Sequence, residues 1–130
     1  MKAYQIFETV LYAKDCAEMM QFYADVLGLE RIDGSALRCG NSVLLIFDPE
    51  VTHRADRGVP THGTQGPGHV AFATPVADLE SWREHLHAHG VAIEREVDWD
   101  EGGRSIYFRD PAGNCVELAP PTIWGGGWKF

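Results

Sequence analysis

The chain is short of positive charge, of cysteine and of long apolar runs, and each shortage removes a class of function. Eleven Lys and Arg stand against nineteen Asp and Glu, a formal net charge of −8 at pH 7 with the histidines neutral. The arginines are scattered and no basic run occurs, so a phosphate backbone or an anionic bilayer surface is repelled. No nucleic acid and no membrane are expected as partners. Only Cys16, Cys39 and Cys115 are present, odd in number, widely spaced and without a CxxC pair. That usage suits a reducing compartment better than a disulfide scaffold, and a cytoplasmic protein is expected. The longest apolar run, Val43 to Phe47, is far too short to span a bilayer. The start Met1-Lys2-Ala3-Tyr4-Gln5 lacks the pattern of a signal peptide.

What is present is an ordinary globular composition, 45% hydrophobic and 23% charged over 130 residues, which points to one domain spanning 1–130. Val10-Leu11-Tyr12-Ala13 reads as a short buried strand. Asp15 with Glu18 three residues on makes a capping box, after which Met19, Met20, Phe22, Tyr23, Val26 and Leu27 recur at helical spacing until Gly28. Strands are predicted at Glu30–Ile32, Ala36–Cys39 and Ser42–Phe47, with Gly40-Asn41 as a hairpin turn. The second half repeats the order. Gly68–Ala73 is a strand, Thr74-Pro75 a helix entry, Leu79, Trp82 and Leu86 an apolar stripe, and Gly90 a stop. Val91–Glu96, Arg104–Arg109 and Asn114–Ala119 are strands, the last two joined by an Asp110–Gly113 turn.

Glu8 precedes Gly28 by 20 residues and His69 precedes Gly90 by 21, while Gly40-Asn41-Ser42-Val43-Leu44-Leu45 aligns with Gly113-Asn114-Cys115-Val116-Glu117-Leu118. The predicted fold is therefore α+β, two tandem βαβββ modules whose curved mixed sheets surround a central cup. Module one covers about 5–48, a linker loop about 48–67, module two about 68–122 and a tail 123–130. A linker of that length is expected to be functional or mobile.

Gly68-His69-Val70-Ala71-Phe72, the run Tyr107 to Leu118, and Phe22-Tyr23 with Leu27-Gly28-Leu29 carry a resemblance to the vicinal-oxygen-chelate superfamily, which includes glyoxalase I, extradiol dioxygenases, fosfomycin-resistance transferases and bleomycin-resistance proteins. The likeness covers about residues 5–122. It implies metal ligands on the first and last strand of each module, which fall here at Glu8, Leu44, His69 and Glu117. The family most often has His or Gln at the first position, and neither Leu44 nor Leu45 can ligate, so Glu8, His69 and Glu117 remain. Two carboxylates and an imidazole suit Mn, Fe, Ni, Co or Zn, and two carboxylates neutralise a divalent ion while leaving positions open for a substrate's adjacent oxygens. All three side chains are expected to converge on one ion.

Tyr107 stands ten residues before Glu117, a spacing similar to that of the catalytic Tyr of extradiol dioxygenases, and otherwise reads as a core aromatic. His62 in the linker is an acid–base candidate, or a solvated loop residue. Arg109 is a candidate for a substrate anion, or a partner of Asp110. His85 and His89 share a helix face without an evident third ligand. Trp124, in the glycine-rich tail, could pack over the substrate or against a second subunit. Two functions follow: a glyoxalase- or dioxygenase-like protein using a divalent metal on a small molecule, or a metal-free, bleomycin-resistance-like protein that sequesters a drug or metabolite. A homodimer is implied by the resemblance.

Overall fold

The structure, a computed structural model, describes residues 1–100 and 102–128; the end of the predicted tail lies outside the described residues. Two compact units divide the chain, Met1–Gly66 and Pro67–Phe130, and the division falls at the end of the predicted linker. Each unit holds one four-stranded mixed sheet, so the fold is α+β with a βαβββ unit used twice.

In the first unit β1 (Glu8–Tyr12), β2 (Glu30–Arg31), β3 (Ala36–Cys39) and β4 (Ser42–Phe47) take the order β1-β4-β3-β2. Helix α1 (Cys16–Asp25) follows β1. It is capped by Asp15, whose side chain accepts from the Glu18 N–H at 2.9 Å, and the chain leaves it through Gly28 in the left-handed region at φ +68°. Side chains alternate across a strand, and the register Thr9↔Leu44 and Leu11↔Ile46 gathers apolar residues on one face. Leu11, Leu37, Leu44 and Ile46 are buried there with Met19, Met20 and Tyr23 of α1, which packs on β3 and β4. Glu8, Val10 and Tyr12, with their partners Val43, Leu45 and Phe47, lie on the opposite, half-open face.

The second unit repeats this with β5 (His69–Ala73), α3 (Leu79–Ala88), β6 (Ile93–Trp99), β7 (Gly103–Arg109) and β8 (Cys115–Ala119), in the order β5-β8-β7-β6. Ile106, Phe108, Val116 and Leu118 form its buried row. Arg83 of α3 grips Glu96 of β6 through Nε at 2.6 Å and Nη2 at 2.9 Å, fixing the helix over that face. The helix begins later than Thr74-Pro75 suggests. A 3₁₀ turn, Val76–Asp78, intervenes, and Thr74 instead accepts from the Trp82 indole at 2.9 Å. The linker is not all loop, since Pro49–Thr52 forms a short helix, α2, capped by Asp48. Among the described residues no helix is long and apolar enough to cross a membrane.

Strand register corrects the alignment of the two modules. Glu8 pairs with Val43, and His69 pairs with Cys115, so the residue equivalent to Glu117 is Leu45 and not Leu44. Leu44 is buried beneath α1. The turn explains the slip. Two residues separate β3 from β4, whereas the five residues 110–114 separate β7 from β8, and an odd offset moves a side chain to the other face of a strand.

That longer turn is organised by a buried carboxylate. Asp110 accepts from the N–H groups of Ala112 and Asn114, both at 2.9 Å, and from the Asn114 side-chain amide at 2.8 Å. Asn114 in turn accepts from the Gly68 N–H at 2.7 Å, one residue before His69. Losing several bonds to a buried charge at once is expected to cost about 3 kcal/mol. Asp110→Ala should lower the denaturation midpoint accordingly, and in amide hydrogen exchange it should deprotect the start of β5. A variant that keeps the parent's midpoint and protection would refute this role.

Candidate metal and acid–base site

The open face of the second sheet carries the chemistry. Paired residues point the same way, so His69 with Cys115, and Tyr107 with Glu117, share this face. Glu117 is buried, 6% exposed, because its β8 neighbours Val116 and Leu118 fix the strand in the core. A carboxylate there needs partners, and it has two. The Tyr107 hydroxyl donates to Oε1 at 2.9 Å, and His69 Nε2 lies 3.3 Å from Oε2. The His69 and Tyr107 rings stack with centroids 6.4 Å apart. Burial first, then the adjoining Glu117 carboxylate, pushes the Tyr107 phenol up to about 12, so at neutral pH it remains a hydrogen-bond donor.

The orientation of His69 decides what this pair can hold. Its Nδ1 faces the Cys115 carbonyl at 3.0 Å. A carbonyl only accepts, so Nδ1 carries the hydrogen. In the neutral ring Nε2 then presents its lone pair toward a carboxylate oxygen. Two acceptors in that relation repel unless a proton or a metal cation joins them. An imidazole oriented by a backbone carbonyl, beside a carboxylate held by a phenol, is a donor pair that fits a divalent ion. Among the described residues no group of three or more His, Cys, Asp or Glu side chains is assembled to hold a metal. The expected set of Glu8, His69 and Glu117 is thus represented by the His69–Glu117 pair. Glu8 belongs to the first unit, exposed at the start of β1, on the sheet face that also carries Leu45.

His62 is not a free loop residue. Its Nδ1 is 2.5 Å from the Tyr12 hydroxyl, its ring lies near those of Tyr12 and Phe47, and its N–H donates to the Thr52 carbonyl at 3.1 Å. The linker therefore folds back onto the face of the first sheet that bears Glu8. Arg109 is engaged by Glu94 through Nε at 2.5 Å and Nη2 at 3.1 Å; Asp110, the partner its sequence neighbourhood suggests, is instead turned into the β7–β8 loop. The register shift between Ile93 and Arg95 marks the irregularity at Glu94. Trp124 is 80% exposed on a 3₁₀ turn, Pro121–Trp124. His85 and His89 face each other with centroids 4.2 Å apart, and His89 Nδ1 is 2.9 Å from the His85 carbonyl.

Sequence reading missed Trp99. It ended the strand at Glu96, whereas β6 continues to Trp99, whose indole donates to Ser105 Oγ at 2.8 Å. Two signals were available: the alternation Arg95, Val97, Trp99 and the glycine pair Gly102-Gly103 that closes the hairpin.

Residues 5–118 match the model of the Glyoxalase/Bleomycin resistance protein/Dioxygenase superfamily. Among solved structures, lactoylglutathione lyase from Agrobacterium tumefaciens matches with a TM-score of 0.88 and 37% identity, over 97% of this chain and 100% of that one. Biphenyl-2,3-diol 1,2-dioxygenase 3 of Rhodococcus globerulus is 34% identical over 118 residues, covering 84% of this chain and 59% of the dioxygenase. The chain therefore spans less than two thirds of that relative. Metallothiol transferase FosB of Staphylococcus epidermidis is 27% identical over 113 residues, covering 84% of this chain and 76% of the transferase.

Proposed function

Because the chain belongs to the Glyoxalase/Bleomycin resistance protein/Dioxygenase superfamily, we propose that it is a metal-dependent enzyme acting on a small molecule with adjacent oxygens. The observation that carries this reading is the His69–Glu117 pair, an imidazole nitrogen and a carboxylate oxygen set 3.3 Å apart so that a proton or a metal cation joins them. His69 and Glu117 would be the protein ligands, and Glu8 stands at the corresponding place in the sheet of the first unit. It opens β1 as His69 opens β5, and its partner Val43 corresponds to Cys115. Held by these residues, a divalent ion would supply Lewis-acid polarisation of substrate oxygens. The chain's own groups do the rest. The Cys115 carbonyl holds the His69 tautomer and the Tyr107 phenol orients the Glu117 carboxylate, while His62, braced by Tyr12, is an acid–base candidate on the open face of the first sheet. The relatives include a lyase, a dioxygenase and a metallothiol transferase by name, which supports an enzyme of small molecules.

A second reading is favoured by Leu45. An aliphatic side chain occupies the place equivalent to Glu117, so one donor of a four-donor set is lost, which suits a metal-free protein that sequesters a small molecule. Elemental analysis of protein purified without chelator separates the two. A divalent ion at about one per chain is expected, and metal-free protein that does not bind Mn, Fe, Ni, Co or Zn on addition would favour sequestration.

We further expect a symmetric homodimer. The sheet orders leave β1, β2, β5 and β6 with one neighbour each, and Tyr4, Ile6 and Phe7 stand exposed ahead of β1. Unpaired edges and adjoining apolar side chains are surfaces that association covers. Sedimentation velocity at micromolar concentration checks this, and a monomer would refute it.

A further inference from the structure

A recess lies in the Pro67–Phe130 unit, where the Pro121–Trp124 turn docks on the β6–β7 hairpin. It is a cleft of about 580 Å³, lined chiefly by Trp99, Asp100, Gly102, Ile123, Gly125 and Gly126, a size that takes a ligand of a few rings. We propose that this cleft binds a planar aromatic group, neutral or cationic, stacked on Trp99, and that it does so independently of the His69–Glu117 pair.

The walls are built by close approach. A Cβ on Gly102 would come within 2.7 Å of Ile123 Cα, and a Cβ on Gly103 within 2.7 Å of Pro120 Cγ. Only glycine lets the tail lie this tightly on the hairpin. Thr122 completes the joint by donating to the Gly102 carbonyl at 2.6 Å, and the Gly125 N–H closes the turn on the Thr122 carbonyl at 3.0 Å. The cleft is thus preformed by covalent geometry and hydrogen bonds rather than by mobile side chains.

Its chemistry selects a flat ring. The Trp99 indole N–H is committed to Ser105, which fixes the ring in one orientation while 42% of the residue stays exposed. A large aromatic so held presents a face for offset or edge-on stacking. Gly102, Gly125 and Gly126 have no side chains, so a thin ligand lies close against the backbone, whose Gly102 carbonyl and Gly125 N–H are already engaged with Thr122. Among the described residues the lining has one ionisable group, Asp100, and no Lys, Arg or His. An indole face and a carboxylate both favour positive charge and disfavour an anion. Asp100 is also the one non-glycine residue with positive φ among the described residues, at +30°, and such backbone conformations concentrate where a chain is shaped for a ligand.

The test uses three ring systems of matched shape, 2-naphthamide, N-methylquinolinium and 2-naphthalenesulfonate. Each is titrated into the full chain and followed by amide and indole chemical shifts. The amide and the quinolinium are expected to move Gly102, Gly125, Gly126 and the Trp99 indole, with the sulfonate at least about tenfold weaker. Trp99→Ala should weaken binding about tenfold or more, whereas Trp99→Phe, which keeps a ring, should retain most of it and covers the case in which the alanine variant fails to fold. His69→Ala should bind the probes as the parent does, so failure of the metal reading leaves this result intact. The proposal is overturned if none of the probes binds at millimolar concentration, if the sulfonate binds as well as the amide, if the shifts fall on His69 and Glu117 instead, or if Trp99→Ala binds like the parent.

Discussion

His69→Ala, purified beside the parent without chelator, is expected to carry a small fraction of the parent's divalent metal and to bind added metal at least about 100-fold more weakly. The expectation follows from how the imidazole is held. The Cys115 carbonyl fixes the hydrogen on Nδ1 and leaves Nε2 as the donor facing Glu117. Removing the ring removes a ligand and leaves a buried carboxylate with Tyr107 alone. Tyr107→Phe should act differently. It takes the hydrogen bond from Oε1 without removing a ligand, so metal content should persist with affinity lowered by about tenfold. Plasma mass spectrometry with competitive chelator titration measures both. A His69→Ala protein that retains the parent's metal would end the metal reading at this site. The same titrations on Arg109→Ala serve as control, since Arg109 is engaged by Glu94 and its loss should leave metal affinity unchanged.

The repeat was the most legible feature of the sequence, because both modules announce themselves through the same physical devices. Asp15 caps one helix, left-handed Gly28 and Gly90 end the two helices, and the alternation of Val43 to Ile46 and of Cys115 to Leu118 gives each last strand a buried row. His69 and Glu117 were singled out by the resemblance to the superfamily, and the apolar neighbours Val116 and Leu118 added that such a carboxylate needs a partner; the structure sets His69 Nε2 3.3 Å from it. Tyr107 as the donor to that carboxylate is a matter of register: Tyr107 pairs with Glu117 only because the five-residue turn fixes the offset. The placement of Leu44 failed for the converse reason. Two turns of different length shift the alignment by one residue, and one residue exchanges the faces of a strand. Arg109 and Trp99 were lost to long-range geometry. The local sequence offers Arg109 the neighbouring Asp110, while the β6 irregularity delivers Glu94 from fifteen residues away. Trp99 lies past the point where Glu96, Asp98 and Asp100 make the sequence read as a polar loop, yet β6 runs on to it.

Glu117→Gln should change stability in opposite directions in metal-loaded and chelated protein. In the loaded state the parent gains about 2.7 kcal/mol when free metal stands at 100 times its dissociation constant, because only the folded chain binds it. The amide is a poor, neutral ligand. Most of that gain is lost, and at this chain length the melting temperature should fall by roughly 5 to 12 °C. In chelated protein the comparison concerns the pair itself. With the His69 ring neutral, Nε2 and the Glu117 carboxylate are two acceptors 3.3 Å apart. Glutamine resolves the conflict. Its oxygen still accepts from the Tyr107 phenol, whose raised proton affinity keeps it a donor, and its amide N–H donates to Nε2. The buried charge is removed as well. The chelated variant should therefore melt at the parent's temperature or above it, by up to about 1 kcal/mol. Differential scanning calorimetry on four samples, parent and variant with and without chelator, reads the sign directly. If Glu117→Gln and the parent melt together in both conditions, no ion is held by Glu117, and a metal-free protein that sequesters its ligand becomes the better account of this chain.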